Sequence, residues 1–157
     1  MMNKLMSFAV LSAIVSLPVS ASASAYFVFP GTMCTPVSGS AAYTADGAVY
    51  NASTSSWLDV SCPIVRPTFN SDAYGAWLEY LDDSTWDMTC VWRTEAPLST
   101  TVVSVSQTTS VDDTYYRELY YDNPPDINQG AAHFLCSLPP RTYGYTYVIQ
   151  YKVGWSF

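Results

Sequence analysis

The groups with chemistry to offer in this 157-residue chain are four cysteines, thirteen carboxylic acids, five tryptophans and a lone histidine. A serine or cysteine nucleophile needs a base beside it, and only His133 could be that base. It opens the strand-like run His133-Phe134-Leu135-Cys136, and no Gly-x-Ser-x-Gly elbow occurs, so a solvent-facing or edge histidine is expected. Zinc chemistry needs a histidine pair or closely spaced cysteines, whereas the cysteine gaps are 28, 28 and 46 residues. Glu79, Glu118, Asp82 and Asp122 could supply a carboxylate pair for glycoside hydrolysis. Thirteen acids in a small chain produce such pairs by chance, so a small glycoside-acting enzyme is kept as an alternative and no residue is assigned as catalytic. The acid clusters Asp82-Asp83 with Asp87, Asp112-Asp113, and Asp122 with Asp126 raise calcium, yet none has the ligand spacing of a dedicated loop. Turn chemistry is the expected role of these aspartates, and no metal or cofactor is assigned. Asn51-Ala-Ser53 matches a glycosylation sequon, which is expected to carry no meaning here.

Binding chemistry is better supplied. Sugar rings stack on exposed aromatic faces while acids, amides and arginine hold their hydroxyls. If Ala76, Leu78 and Tyr80 point inward, strict alternation turns Trp77 and Glu79 outward, and Arg93 lies on the outer side of another strand-like run. Trp77, Glu79 and Arg93 form the candidate ligand site, with an extracellular glycan or envelope component as partner. Tyr115, Tyr116, Tyr120 and Tyr121 offer a second candidate surface. Half-buried sheet faces are also rich in tyrosine and tryptophan for packing reasons alone.

The N-terminal segment has the form of an export signal. Lys4 provides the positive start, residues 6–17 a short apolar run too brief to span a bilayer, and Pro18 ends it. Ala21, Ala23 and Ala25 create two Ala-x-Ala sites, and cleavage is expected after Ala25. Residues 1–25 are thus read as a cleaved signal helix outside the fold, and 26–157 as a single domain. That part carries five basic and thirteen acidic residues, a net charge of −8, which excludes a nucleic-acid groove. It has no stretch long enough for a membrane helix, and 23 of its 132 residues are aromatic, too apolar for disorder. A secreted or periplasmic location follows.

In that oxidising setting four cysteines imply two disulfides. Three connectivities are possible. The expected one is Cys34–Cys62 with Cys90–Cys136, because Cys90 and Cys136 fall at inward positions of strand-like runs while Cys34 sits in a Pro/Gly-flanked lead-in. Those runs dominate the chain with a period of two: Leu58, Val60, Cys62 and Ile64; Met88, Cys90 and Trp92; Val103 and Val105; Leu119 and Tyr121; Phe134, Cys136 and Leu138. In the last run Tyr147, Ile149, Tyr151 and Val153 alternate with Val148, Gln150, Lys152 and Gly154. Proline, glycine, asparagine and aspartate punctuate them, with Pro63 marking a bulge or an edge. Seven to nine short strands and no amphipathic helix predict an all-β antiparallel sandwich.

The pattern Cys34-Thr-Pro36, Cys62-Pro63-Ile64-Val65-Arg66, Leu78-x-Tyr80-x-Asp82, Cys90, and Cys136-Ser-Leu-Pro139-Pro140 resembles a loose group of small exported bacterial proteins usually called uncharacterised. That resemblance implies an architecture and a compartment. The buried-cysteine strand, Pro-Pro turn and final strand are also similar to jelly-roll binding modules of the galactose-binding-like kind, a likeness of fold. The apolar run Tyr26-Phe27-Val28-Phe29 adds a rival of another class, a structural or self-assembling envelope subunit that lends a strand to a neighbour's edge.

Overall fold

The computed structural model describes residues 24–68, 71–97, 100–110, 113–127 and 130–156; positions 1–23 of the expected export signal, and Asp112 of the acid clusters, lie outside the described residues, while Ser24 and Ala25, the last two positions of that expected segment, are extended and begin the first strand. Period-two patterning becomes eleven strands among the described residues. They are β1 (Ser24–Pro30), β2 (Thr35–Ser38), β3 (Ala41–Tyr43), β4 (Val49–Asn51), β5 (Leu58–Ile64), β6 (Asp72–Asp82), β7 (Thr89–Glu95), β8 (Val102–Thr108), β9 (Asp113–Asp122), β10 (Ala131–Leu138) and β11 (Thr146–Ser156). The count exceeds seven to nine because the lead-in folds into three strands of three or four residues, too short to show a period.

Two antiparallel sheets face each other as a sandwich. One runs β3-β4-β11-β6-β9, with β1 also paired to β11, and the other runs β2-β5-β10-β7-β8. The Tyr26–Phe29 run is taken up by β11, where Phe27 lies opposite Val153 and Phe29 opposite Tyr151. Inward residues from both sheets meet in one core: Leu58, Val60, Leu78, Trp92, Phe134, Val148, Tyr151, Val153 and Trp155 are all at 0% exposure. Their transfer from water is the main stabilising contribution. Two large phenols are satisfied inside it, Tyr121 donating to the Cys90 carbonyl at 2.7 Å and Tyr151 to the Pro63 carbonyl at 2.7 Å. Burial raises the pKa of both.

Both disulfides, Cys34–Cys62 and Cys90–Cys136, are formed. Both lie within the same sheet. Cys90 stands directly opposite Cys136 in the β7–β10 register, and Cys62 on β5 follows Ser61, the partner of Thr35 on β2. Pro63 lies where β5 has run past its β2 partners and has a neighbour only in β10, which leaves one side of the strand open for a residue without an N–H. The alternation expected for the C-terminal strand breaks once. A register shift between Val148 and Gln150 leaves Tyr147 and Ile149 on the outer side while Val148, Tyr151 and Val153 are buried. One inserted residue turns the strand's phase over.

At one end of the sandwich the buried Asp82 carboxylate accepts hydrogen bonds from the hydroxyls of Thr109 and Thr146 and from the Ser84 amide. Thr109 follows β8, so this aspartate ties the two sheets together. Asp126 is held by Arg66, each 10% exposed, and the Arg66 guanidinium lies over Trp155 at 4.9 Å. Asn51 is 2% exposed. Its amide donates to the carbonyls of Ser56, Leu138 and Pro139, so the sequon is a buried splice and no glycosylation acceptor.

Candidate ligand-binding face

The outer side of the β1-β11-β6-β9 portion is built in rows fixed by the pairing register. In the first row Tyr26, Gly154, Gly75 and Asp122 lie side by side; in the second Val28, Lys152, Trp77 and Tyr120; in the third Pro30, Gln150, Glu79 and Glu118. The adjoining glycines are the key to this surface. A Cβ on Gly75 would meet the Trp77 ring at 2.7 Å, and one on Gly154 would meet the Tyr74 ring at 2.5 Å. Trp77 and Tyr74 therefore lie down on bare backbone, an arrangement that rescues strand glycines with aromatic cover.

Two more rings extend this platform. Tyr120 stacks on Trp77 with centroids 5.1 Å apart and planes 29° from parallel, and Tyr26 approaches both Trp77 and Tyr74 at 5.6 Å. Lys152 Nζ sits 5.4 Å from the Trp77 ring centre and donates to Glu118 at 2.6 Å. Gln150 donates its amide to Glu79 at 2.5 Å. The Tyr74 phenol is pushed up to about 12, by burial first and then by Tyr26. Tyr120 is raised by burial and by Asp122. Both therefore remain neutral hydrogen-bonding groups at physiological pH.

The structure unites part of the predicted site and separates part. Trp77 and Glu79 share the face as alternation requires, but Trp77 is half-buried among rings. Arg93 belongs to β7 in the opposite sheet and faces out on the other side of the sandwich, where it pairs with Glu95 at 2.7 Å. Alternation gives the side of a strand but carries no information on its sheet; Lys152 holds the place by Trp77 that Arg93 was expected to fill. The tyrosine-rich stretch divides in the same way. Tyr120 joins the platform, Tyr116 lines a pocket beyond it, Tyr115 is 74% exposed and Tyr121 is buried. Tyr26, Tyr74, Gln150 and Lys152 were missed, since only cross-strand register brings them to Trp77.

Glu79 and Glu118, two of the carboxylates considered for hydrolysis, stand opposite each other across β6 and β9. The side chains of Trp77, Gln150 and Lys152 fill in around the pair. His133 faces outward from β10 between Arg93 and Pro63. Partial burial lowers its pKa, with Glu95 opposing and Arg93 adding to the shift. At the far end of the sandwich Trp57 and Trp86 stack at 5.9 Å and 18°, exposed by 42% and 51%. No group of three or more histidine, cysteine or acidic residues among the described residues could hold a metal ion, and among them no helix is long and apolar enough to cross a membrane.

No family model and no curated protein matches the chain. Solved structures resemble it at the level of the β-sandwich. A family two carbohydrate esterase from Cellvibrio japonicus is similar with 9% identity and a TM-score of 0.48, over 87% of this chain and 36% of the esterase. The family 29 carbohydrate-binding module CBM29-2, in a mutant form complexed with cellulohexaose, gives 12% identity and 0.49 over 83% of this chain and 91% of the module. CBM29_1 from Piromyces equi gives 11% and 0.48 over 82% and 90%. The chain thus spans about a third of the esterase and most of each module. Likeness of this degree concerns the fold, and ligand chemistry has to be argued from the face itself.

Proposed function

We propose that this protein is an exported, non-catalytic glycan-binding module whose ligand lies on the outer face of the sheet that contains β6 and β11. The observation that carries the reading is the pair Gly75 and Gly154, which seats the Trp77 and Tyr74 rings flat on the sheet. Packing alone has no need of a bare glycine strip on a solvent face, since a β-branched residue there would stabilise the sheet better. A platform of rings beside Lys152, Gln150, Glu79 and Glu118 offers the stacking surface and the hydroxyl partners a sugar chain requires. Two formed disulfides fit residence in an oxidising compartment.

Titration with neutral β-linked hexasaccharides of glucose, mannose and xylose, followed by tryptophan fluorescence and calorimetry, tests this reading. One stacked ring is worth on the order of 1 to 2 kcal/mol, so Trp77→Ala should weaken binding about fivefold to thirtyfold, with Trp57→Ala unchanged. Loss of binding in Trp57→Ala alone would move the site to the other end of the sandwich, and silence towards every glycan would remove the proposal. A self-assembling subunit remains the second reading on one observation: β8 is an edge strand, and residues 100–110 contain no charge, proline or glycine, the features that normally blunt an edge. Sedimentation that stays monomeric up to millimolar concentration would dismiss it.

A further inference from the structure

Beyond the platform, in the direction of increasing β6 residue number, the face sinks into a hollow of about 320 Å³ between the β3–β4 turn and β9. That is at the small end for ligand pockets, a volume for one sugar unit and its substituent. Leu81 and Ile149 contribute its apolar lining, Tyr116 and Tyr147 its aromatic walls, and Asp46 and Glu79 its ionisable groups. Both ionisable groups are acids, and no lysine or arginine lines the hollow.

Among the residues that line the hollow no cation faces these charges. The Thr44 hydroxyl and its own backbone amide hold the Asp46 carboxyl below the usual carboxylate range, so it stays ionised. Glu79 is engaged by Gln150, a neutral amide, while Lys152 in the neighbouring row is given to Glu118. Tyr147 titrates above its ordinary value through burial and through Tyr145, Tyr50, Asp46 and Asp83, and so presents a neutral ring. Neutral sugar hydroxyls would be served as well by donors as by acceptors. A hollow that offers two carboxylates and two aromatic faces, and no cation, is complementary to a ligand that brings its own positive charge.

Resting on the glycan-binding reading above, we infer that this hollow selects a hexosamine unit with a free, protonated amine, within a glycan whose neighbouring residues lie on the Trp77 platform. The ammonium group would be drawn to the carboxylates that line the hollow, with a phenol ring beside it. An acetylated amine loses both the charge and the fit, and uronic or sulfated sugars would be repelled.

Three hexasaccharides with the same β-1,4 backbone separate the possibilities: glucosamine, N-acetylglucosamine and glucose. Calorimetry on the exported chain at mildly acidic pH and low salt should show the glucosamine hexamer binding at least tenfold tighter than the other two. Asp46→Asn should reduce that preference severalfold, and Asp59→Asn, a change of equal charge on the opposite sheet, should leave it intact. Equal affinity for the three hexamers would overturn the amine selectivity and leave the platform standing. A preference that falls alike in Asp46→Asn and Asp59→Asn would also overturn it, since it would then reflect only the net charge of the chain. Failure of all three hexamers to bind would refute the inference together with the function on which it rests.

Discussion

Gly75→Ala is the perturbation that most sharply separates a platform made for a ligand from one that merely covers the sheet. The new methyl carbon would stand 2.7 Å from Trp77 Cη2 and 3.2 Å from Cζ2 and Cζ3, where about 3.5 to 4.0 Å is comfortable. The ring must therefore lift by about 1 Å. Lifting loosens its stack on Tyr120 and its contact with Tyr26, pairs worth about 0.5 to 1.5 kcal/mol each when intact. In the other direction, replacing a strand glycine whose backbone suits any residue recovers roughly 0.5 to 1 kcal/mol of conformational entropy. These effects oppose each other, so stability should fall by no more than about 2.5 kcal/mol and Tm by no more than about 10 °C. Glycan affinity has no such compensation. A tilted indole forfeits its sugar stack, and Kd should rise about fivefold to thirtyfold. Calorimetric Tm and fluorescence titration of the same preparation read both quantities. If affinity is unchanged while the tryptophan emission shows that the ring has moved, the platform is not where the ligand sits. If Tm falls by more than about 10 °C, Trp77 belongs to the core and the argument from its seat fails.

The disulfides should titrate as no free thiol in denaturant, and replacing Cys90 and Cys136 by alanine should destabilise more than replacing Cys34 and Cys62. Sequence separations of 28 and 46 residues correspond to about 3.6 and 4.0 kcal/mol in the chain-entropy model, and the reverse order in urea melts would contradict it. His133 titrates below its ordinary 6.5 in the folded chain, so its contribution is full above that pH and is lost as pH falls through the lowered folded value. Urea midpoints should therefore decline less between neutral and mildly acidic pH in His133→Gln than in the parent. Asp82→Ala strands the Thr109 and Thr146 hydroxyls and the Ser84 amide in the interior, at about 1 to 3 kcal/mol for each group left unpaired. It should lower the urea midpoint far more than Asp122→Ala, whose carboxylate is at the surface.

Which residues face inward was legible, because a strand's period is local. Ala76, Leu78 and Tyr80 were read as buried and Trp77 as outward from alternation alone, and the cysteine pairs followed from the same logic. What could not be read was set by contacts distant in sequence. Arg93 and Trp77 have the same outward phase, yet they sit on opposite sides of the sandwich because sheet membership is decided by pairing. The bulge after Val148 inverted the outward set at Tyr147 and Ile149, since one extra residue is invisible to a period count. Gly75 drew no reading in the sequence and Gly154 counted only as one member of an alternating set, because only the register places them side by side beneath two rings.

The pairing of β1 with β11 has a mechanical consequence. Tyr26 lies opposite Gly154, two residues before the end of β11, so the start of the first strand and the end of the last emerge at the same edge, side by side and antiparallel. A pull applied between these two points loads the rungs one after another, as a zipper is opened, and never all together. Both staples lie in the other sheet, outside this line of force. Stretched in that direction, the aromatic face would peel away rung by rung at low force while the cross-linked layer behind it kept its shape.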